Sequence, residues 1–162
     1  MYNLILDSDA LIKLVHSKAL VKICETFNCI ITAEVKRETV DEGKKRFYPD
    51  AEIIEKLVDN KLLKIKNSNK DIEIIKNLGK GELSILSLSK ELKNHIIISD
   101  DKTFIKELEK EDIIFLIPTD LIILLKRLKK INKEEAENYL EKIKVFISEE
   151  NYKNTRYELE EK

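Results

Sequence analysis

Residues 4–12 read Leu-Ile-Leu-Asp-Ser-Asp-Ala-Leu-Ile, and residues 96–104 read Ile-Ile-Ile-Ser-Asp-Asp-Lys-Thr-Phe. In each stretch a short apolar run, without polar alternation, ends abruptly in carboxylates. Such a run reads as a strand buried on both faces. Parallel α/β folds set their working residues at the carboxyl ends of strands of this kind. Two further runs, residues 29–31 and 113–117, have the same character, and residues 62–66 alternate as an edge strand would.

Helical patterns separate the runs, over residues 10–15, 19–27, 33–40, 51–58, 71–78, 82–92, 103–109 and 119–129. Pro49 and Asp50 mark one helix start, Thr119 is read as a cap, and Asn132 with Glu135 forms a capping box for a helix running to about residue 145. The expected fold is α/β: a three-layer α/β/α sandwich with a parallel, four- or five-stranded central sheet. Residues 1–147 read as one domain including C-terminal helices, and residues 148–162 as a polar tail, either a frayed helix or a docking arm.

Composition narrows the class further. At 162 residues with 43% apolar and 38% charged content, the chain builds its own core and is neither disordered nor a membrane protein. Three glycines and two prolines are too few for a turn-rich β sandwich. The formal net charge of −1 provides no global field for a polyanion, so any phosphate site must be a local patch. The Lys/Glu/Ile bias without Trp suits a thermophile or archaeal surface and an AT-rich genome equally. Cys24 and Cys29 lack the further ligands of a zinc site and read as buried free thiols. With no signal-like N-terminus or long apolar window, a cytoplasmic protein is expected.

The acids carry the chemistry. Asp7 follows the first strand, and Asp100 and Asp101 follow the later one. Each has a plain reading as a helix cap, and Asp9 shares it. Glu38 lies on the helix after the second strand, one turn beyond Glu34. Glu82 follows Gly81 at the head of an apolar helix, where a first-turn acid also complements the helix dipole. If Asp7, Glu38, Glu82 and Asp101 converge, each pair of charges about 4 Å apart costs on the order of 4 kcal/mol at an effective dielectric near 20. Such a cluster must hold protons or a cation. Oxygen ligands without Cys or His favour Mg²⁺ or Mn²⁺, a standard device for phosphodiester hydrolysis.

Taken in order, these segments resemble the PIN-domain nucleases. Residues 4–12 resemble their opening strand and acid, and Val35-x-x-Glu38 the second acid. Gly81-Glu82 before an apolar helix is similar to the third, and residues 96–104 to the fourth-acid strand. The resemblance spans about residues 2–117, with residues 118–152 similar to the helical C-terminal part. It implies a metal-dependent endoribonuclease acting on single-stranded RNA, often a VapC-like toxin, commonly a homodimer and silenced by a small antitoxin protein. It also implies Mg²⁺ or Mn²⁺ on Asp7 and Asp101, with Asp100 as an alternative ligand, an acidic pocket completed by Glu38 and Glu82, and a water oriented by Ser8. Where the family carries Gly-Thr before the next helix, this chain has Pro118-Thr119.

Lys36, Arg37, Lys44, Lys45 and Arg46 are the candidate RNA-binding cations, and otherwise a solvated helix face. Phe47 and Tyr48 are expected to pack in a core or interface, with stacking on a base as the alternative. Two alternatives stand beside the nuclease. One is a catalytically silent PIN-like module binding RNA or protein. The other is a haloacid-dehalogenase-like phosphatase using Asp7-x-Asp9, which leaves Glu38 and Glu82 unexplained.

Overall fold

The computed structural model describes residues 1–71 and 73–161. Five strands form one all-parallel sheet in the order β3-β2-β1-β4-β5. They are β1 (Asn3–Leu6), β2 (Asn28–Ile31), β3 (Leu63–Ile65), β4 (His95–Ile98) and β5 (Phe115–Leu116). Consecutive residues Leu4, Ile5 and Leu6 are all buried, as are Cys29, Ile30 and Ile31. That pattern requires helices on both faces, which explains the unbroken apolar runs in the sequence.

The helices are α1 (Ser8–Ser17), α2 (Leu20–Thr26), α3 (Ala33–Lys36), α4 (Glu42–Lys45), α5 (Pro49–Asp59), α6 (Lys80–Ser89), α7 (Lys102–Lys110), α8 (Pro118–Arg127), α9 (Lys133–Ile143) and α10 (Glu149–Glu160). A π turn, Arg37–Asp41, joins α3 to α4, so residues 33–45 form one continuous helical segment that outruns the expected 33–40.

The chain moves from β1 outward through β2 to β3, then crosses back to place β4 on the other side of β1. The carboxyl ends of β1 and β4 therefore lie side by side where the strand order reverses, the usual position of a ligand crevice. Registers Leu4↔Ile96, Ile5↔Ile97 and Leu6↔Ile98 fix the pairing, and Asp7 N–H donates to the Ile98 carbonyl at 3.2 Å.

Three expectations are corrected. Residues 71 and 73–78 are not helical, with a turn at Lys76–Asn77, and Ile72 of that segment lies outside the described residues. The run 113–117 contributes only Phe115–Leu116 to the sheet, as a short edge. Thr119 does not cap α8. The helix starts at Pro118, whose missing N–H costs nothing at that position, and Asp120 accepts from Ile117 N–H at 2.9 Å to close the end. The Thr119 hydroxyl is buried without a hydrogen-bond partner among the described residues.

Residues Glu149–Glu160 form α10, capped by Ser148 and seated on α8 and α9 through Tyr152, Thr155 and Leu159. The apolar run of α8 is thus covered within the chain: Leu121, Ile122, Ile123 and Leu125 are buried. Lys126 Nζ donates to the Leu159 and Glu161 carbonyls at 2.8 Å each, tying down the last turn. Cys24 and Cys29 are free and buried. No helix among the described residues is long and apolar enough to cross a membrane.

Helix ends and turns here are made by non-glycine residues. Lys18, Phe47, Lys61, Asn77, Asn94, Asp112 and Lys129 have φ between 53° and 74°, and none of the three glycines has positive φ.

Leu159 is fully buried in α10, so Leu159→Ala is expected to cost ~2–5 kcal/mol through lost burial and a residual cavity. A urea-unfolding midpoint equal to that of the parent would show that α10 is not part of the cooperative unit.

Candidate active site

A cavity of about 230 Å³ opens at the carboxyl ends of the central strands. Asp7, Asp9, Glu38 and Glu82 line it, together with Ser8 and Gly81. Its walls come from segments far apart in sequence, and local interactions place each acid.

Asp7 is the N-cap of α1, its Oδ1 accepting from Ala10 N–H at 2.8 Å. Asp101 caps α7 in the same way, accepting from Phe104 N–H at 2.7 Å. Glu82 reaches back over the first turn of α6 to accept from Gly79 N–H at 2.9 Å. The capping readings of these residues are therefore real. A carboxylate has two oxygens and about four acceptor sites, so one cap bond orients the group and leaves capacity for a ligand.

Glu38 sits in the π turn, in which Glu42 N–H donates to the Arg37 carbonyl, an i→i+5 bond. The extra residue in that turn shifts the phase of the helix, and π turns recur at functional sites. Ser8 donates its hydroxyl proton to Glu38, tying the head of α1 to this turn. From the other side Gly81 backs directly onto the Glu38 carboxylate. A Cβ at Gly81 would lie 2.7 Å and 2.9 Å from its two oxygens. Thr32 and Ser84, which sequence reasoning passed over, share a hydroxyl hydrogen bond of 2.7 Å that clamps the start of α3 to α6. Nothing in their residue types distinguishes them from ordinary helix-start and helix-surface hydroxyls.

Asp9 also lines the cavity as a further carboxylate, although the sequence offers it mainly as a helix-start acid. Neither Asp100 nor Asp101 lines it. The Asp100 side chain is 8% exposed and holds Lys13 Nζ at 2.7 Å, so its charge is already matched. Asp101 is the late-strand acid whose charge bears most on Glu82.

The electrostatics follow from burial. Asp7 is 4% exposed, and its pKa is pushed up to about 7, mainly by burial and further by Asp9 and Asp100. Ser99 and the Ala10 amide pull it part of the way back. Glu82 is raised by burial first and then by Asp101, Glu38 and Asp9. Among the described residues, no three His, Cys, Asp or Glu side chains already stand as a metal cage. The acids ring the cavity instead, as mutually repelling carboxylates do. The fit of a divalent cation rests on the donor set: every acid lining the cavity offers oxygen only, which matches Mg²⁺ or Mn²⁺, and a cation would offset the burial and carboxylate repulsion that raise Asp7 and Glu82.

The basic candidates lie along α3, the π turn and the end of α4, and four of the five are paired. Lys36 holds Asp41 at 3.2 Å, Arg37 holds Glu34 at 2.7 Å, Lys44 holds Glu55 at 3.0 Å and Lys45 holds Glu42 at 3.5 Å. Arg46 is exposed and has no carboxylate within 4.0 Å among the described residues. Exposed pairs of this kind contribute ~0–1 kcal/mol and exchange readily for phosphate.

Asp7 sets a pH dependence of stability. Its ordinary pKa of 3.8 applies in the unfolded chain, and about 7 applies in the fold. Between those limits the fold binds more protons, so stability is greatest below the lower value and is lost as pH rises through the upper one. The full shift corresponds to about 4 kcal/mol at most. Asp7→Asn keeps a capping side chain without the ionisation. In metal-free buffer it is expected to match the parent near about pH 4 and to exceed it by ~1–4 kcal/mol near about pH 8. Urea midpoints across pH measure this, and parallel curves for the two proteins would exclude Asp7 as the titrating group.

No curated protein and no solved structure is a significant match to this chain. One family model does match: DUF3368, described as a PIN domain, over residues 3–161. The match takes in the sheet, the acid-lined cavity and α10 alike, and the chain belongs to the PIN-domain family.

Proposed function

We propose that the chain is a Mg²⁺- or Mn²⁺-dependent endoribonuclease that cuts single-stranded RNA in the acid-lined cavity. PIN domains are generally nucleases and typically use a divalent metal. The observation that carries the reading here is the meeting of Asp7, Glu38 and Glu82, from three separate segments, on one cavity at the reversal point of the sheet.

Asp7 and Asp101 would hold the cation through the acceptor capacity that their helix caps leave free. Glu38 and Glu82 would complete the acidic surround, directly or through water. When bound, the cation supplies an activated water and neutralises charge on the phosphate. Ser8 acts first on Glu38: its proton is committed to that carboxylate, so it positions the acid and meets a water only through its lone pairs. The caps orient the carboxylates before substrate arrives, which lowers the reorganisation needed at the reacting phosphate. Arg46, and the paired cations once they release their partners, steer the RNA backbone. The resemblance adds a homodimer, a VapC-like role and a silencing antitoxin protein to the proposal. A haloacid-dehalogenase-like phosphatase gives no task to Glu38 or Glu82, which line the cavity with Asp7.

Purified protein is expected to cleave single-stranded RNA with Mg²⁺ or Mn²⁺, and to stop when the metal is chelated. Asp7→Asn and Glu82→Gln are each expected to lower the rate by roughly 100-fold or more, the scale of losing preorganised charge at a reacting centre. Cleavage by Asp7→Asn at the parent rate would remove Asp7 from the mechanism. RNA binding without cleavage under any divalent metal would favour the catalytically silent module.

Gly81→Ala separates position from fold. Alanine gains ~1 kcal/mol of helix propensity over glycine, but its Cβ enters the space of the Glu38 carboxylate. That carboxylate is the end of a flexible side chain and swings away, breaking its bond with Ser8. The expected result is unchanged or higher stability with cleavage reduced roughly 10-fold or more. Parent-level cleavage by Gly81→Ala would show that the position of Glu38 does not matter.

A further inference from the structure

We infer that the corner Arg46–Phe47–Tyr48 is a built-in stacking platform for unpaired bases of the RNA strand whose phosphate enters the acid cavity; the inference rests on the ribonuclease reading above. The expectation that Phe47 and Tyr48 pack in a core does not hold within the chain: they are 91% and 54% exposed.

The corner is rigid. Phe47 N–H donates to the Lys44 carbonyl at 3.1 Å, and Tyr48 N–H to the Gly43 carbonyl at 2.9 Å. Those bonds end α4 in a left-handed residue. Pro49 then starts α5 and holds Tyr48 extended, at φ −77° and ψ 123°. Gly43 lets the two helices close, since a Cβ there would lie 3.0 Å from Ala51 Cβ.

The residue at the turn is unusual. Phe47 has φ 58°, a conformation that suits glycine or asparagine and disfavours a bulky side chain. The other six left-handed positions carry Lys, Asn or Asp. Only here does the chain place an aromatic ring in the strained conformation, and it then leaves that ring in water. Neither burial nor turn chemistry accounts for the choice.

The location supplies the occupant. A groove of about 330 Å³ runs beside the corner, with Arg46, Tyr48 and Glu38 in its wall. Glu38 also lines the acid cavity, so the two lie on either side of one carboxylate. The groove's other acids have partners: Glu42 faces Arg37 and Lys45, and Asp50 lies 3.1 Å from His16 Nε2. Arg46 is left to meet a phosphate while the rings of Phe47 and Tyr48 meet base faces. A positive group beside exposed aromatics is the recurrent design for single strands, and base-paired RNA offers no free base face to stack.

The test uses binding rather than cleavage. Anisotropy of a short fluorescein-labelled single-stranded RNA is followed in the full-length Asp7→Asn protein with EDTA, so no strand is cut. Adding Phe47→Gly is expected to weaken binding roughly 10-fold or more, the loss of one base stack. The same change relieves the left-handed residue and is expected to raise the melting temperature, which separates binding from folding. Phe47→Trp is expected to restore affinity, and an abasic strand to bind Phe47→Gly and its parent alike.

Unchanged affinity in Phe47→Gly overturns the platform. So does an equal loss with the abasic strand. So does conversion of a parent dimer to monomer by light scattering, with RNA affinity unaltered, which would assign the corner to a second copy of the chain. Cleavage by the wild-type protein that ignores Phe47→Gly removes only the platform. Phe47-dependent binding in a protein that never cleaves removes only the nuclease reading.

Discussion

The parallel pairing of β1 with β4 is the constraint on which the rest depends. These strands are far apart in sequence yet adjacent in the sheet, because the chain reverses its direction of travel across the sheet between them. Their shared register sets Leu6 opposite Ile98, and the backbone bond from Asp7 to Ile98 carries the pairing one residue past the strand ends. Every residue at the cavity is placed relative to that edge. A one-residue slip would turn the side chains of β1 to the opposite face and leave Asp7 outside the crevice.

Helix capping then converts strand ends into a chemical site. Three of the four acids serve as acceptors at helix starts, so their orientation belongs to the stability of α1, α6 and α7 rather than to flexible side chains. The arrangement stabilises the helices and charges the crevice at once. The two effects oppose each other at Asp7, where burial makes the charge costly while the cap favours it. Asp9 and Asp100 add to that cost, even with Lys13 paired to Asp100 at 2.7 Å.

Much of this was legible in the sequence because two patterns agreed. Unbroken Ile/Leu/Val runs can be satisfied only by a sheet covered on both faces, and the acids follow those runs directly. Glu38 and Glu82 were legible from the resemblance, whereas their convergence depends on a π turn and on a glycine contact that no local pattern encodes. The segment 71–78 shows the opposite failure. Its paired isoleucines and Leu78 match a helical period, yet only Ile75 and Leu78 among the described apolar residues are partly buried against the core, so nothing repays the cost of ordering a helix. Thr119 failed because Pro118 claims the first helical position and Asp120 supplies the cap from within the helix. The charged residues were least legible: 38% of the chain is ionisable Asp, Glu, Lys or Arg, and only geometry distinguishes the paired Lys36, Arg37, Lys44 and Lys45 from the free Arg46.

The left-handed corners, seven among the described residues, affect the denatured chain as well as the native one. Each carries a side chain where glycine is easier, a local cost of roughly 1 kcal/mol in the native fold. Each also removes the wide conformational freedom that a glycine would give the random coil, worth ~0.4–1 kcal/mol in the other direction. A glycine-poor sequence such as this one therefore exchanges ease at its corners for a coil with less entropy to regain, so its stability draws on the disordered ensemble as well as on native contacts.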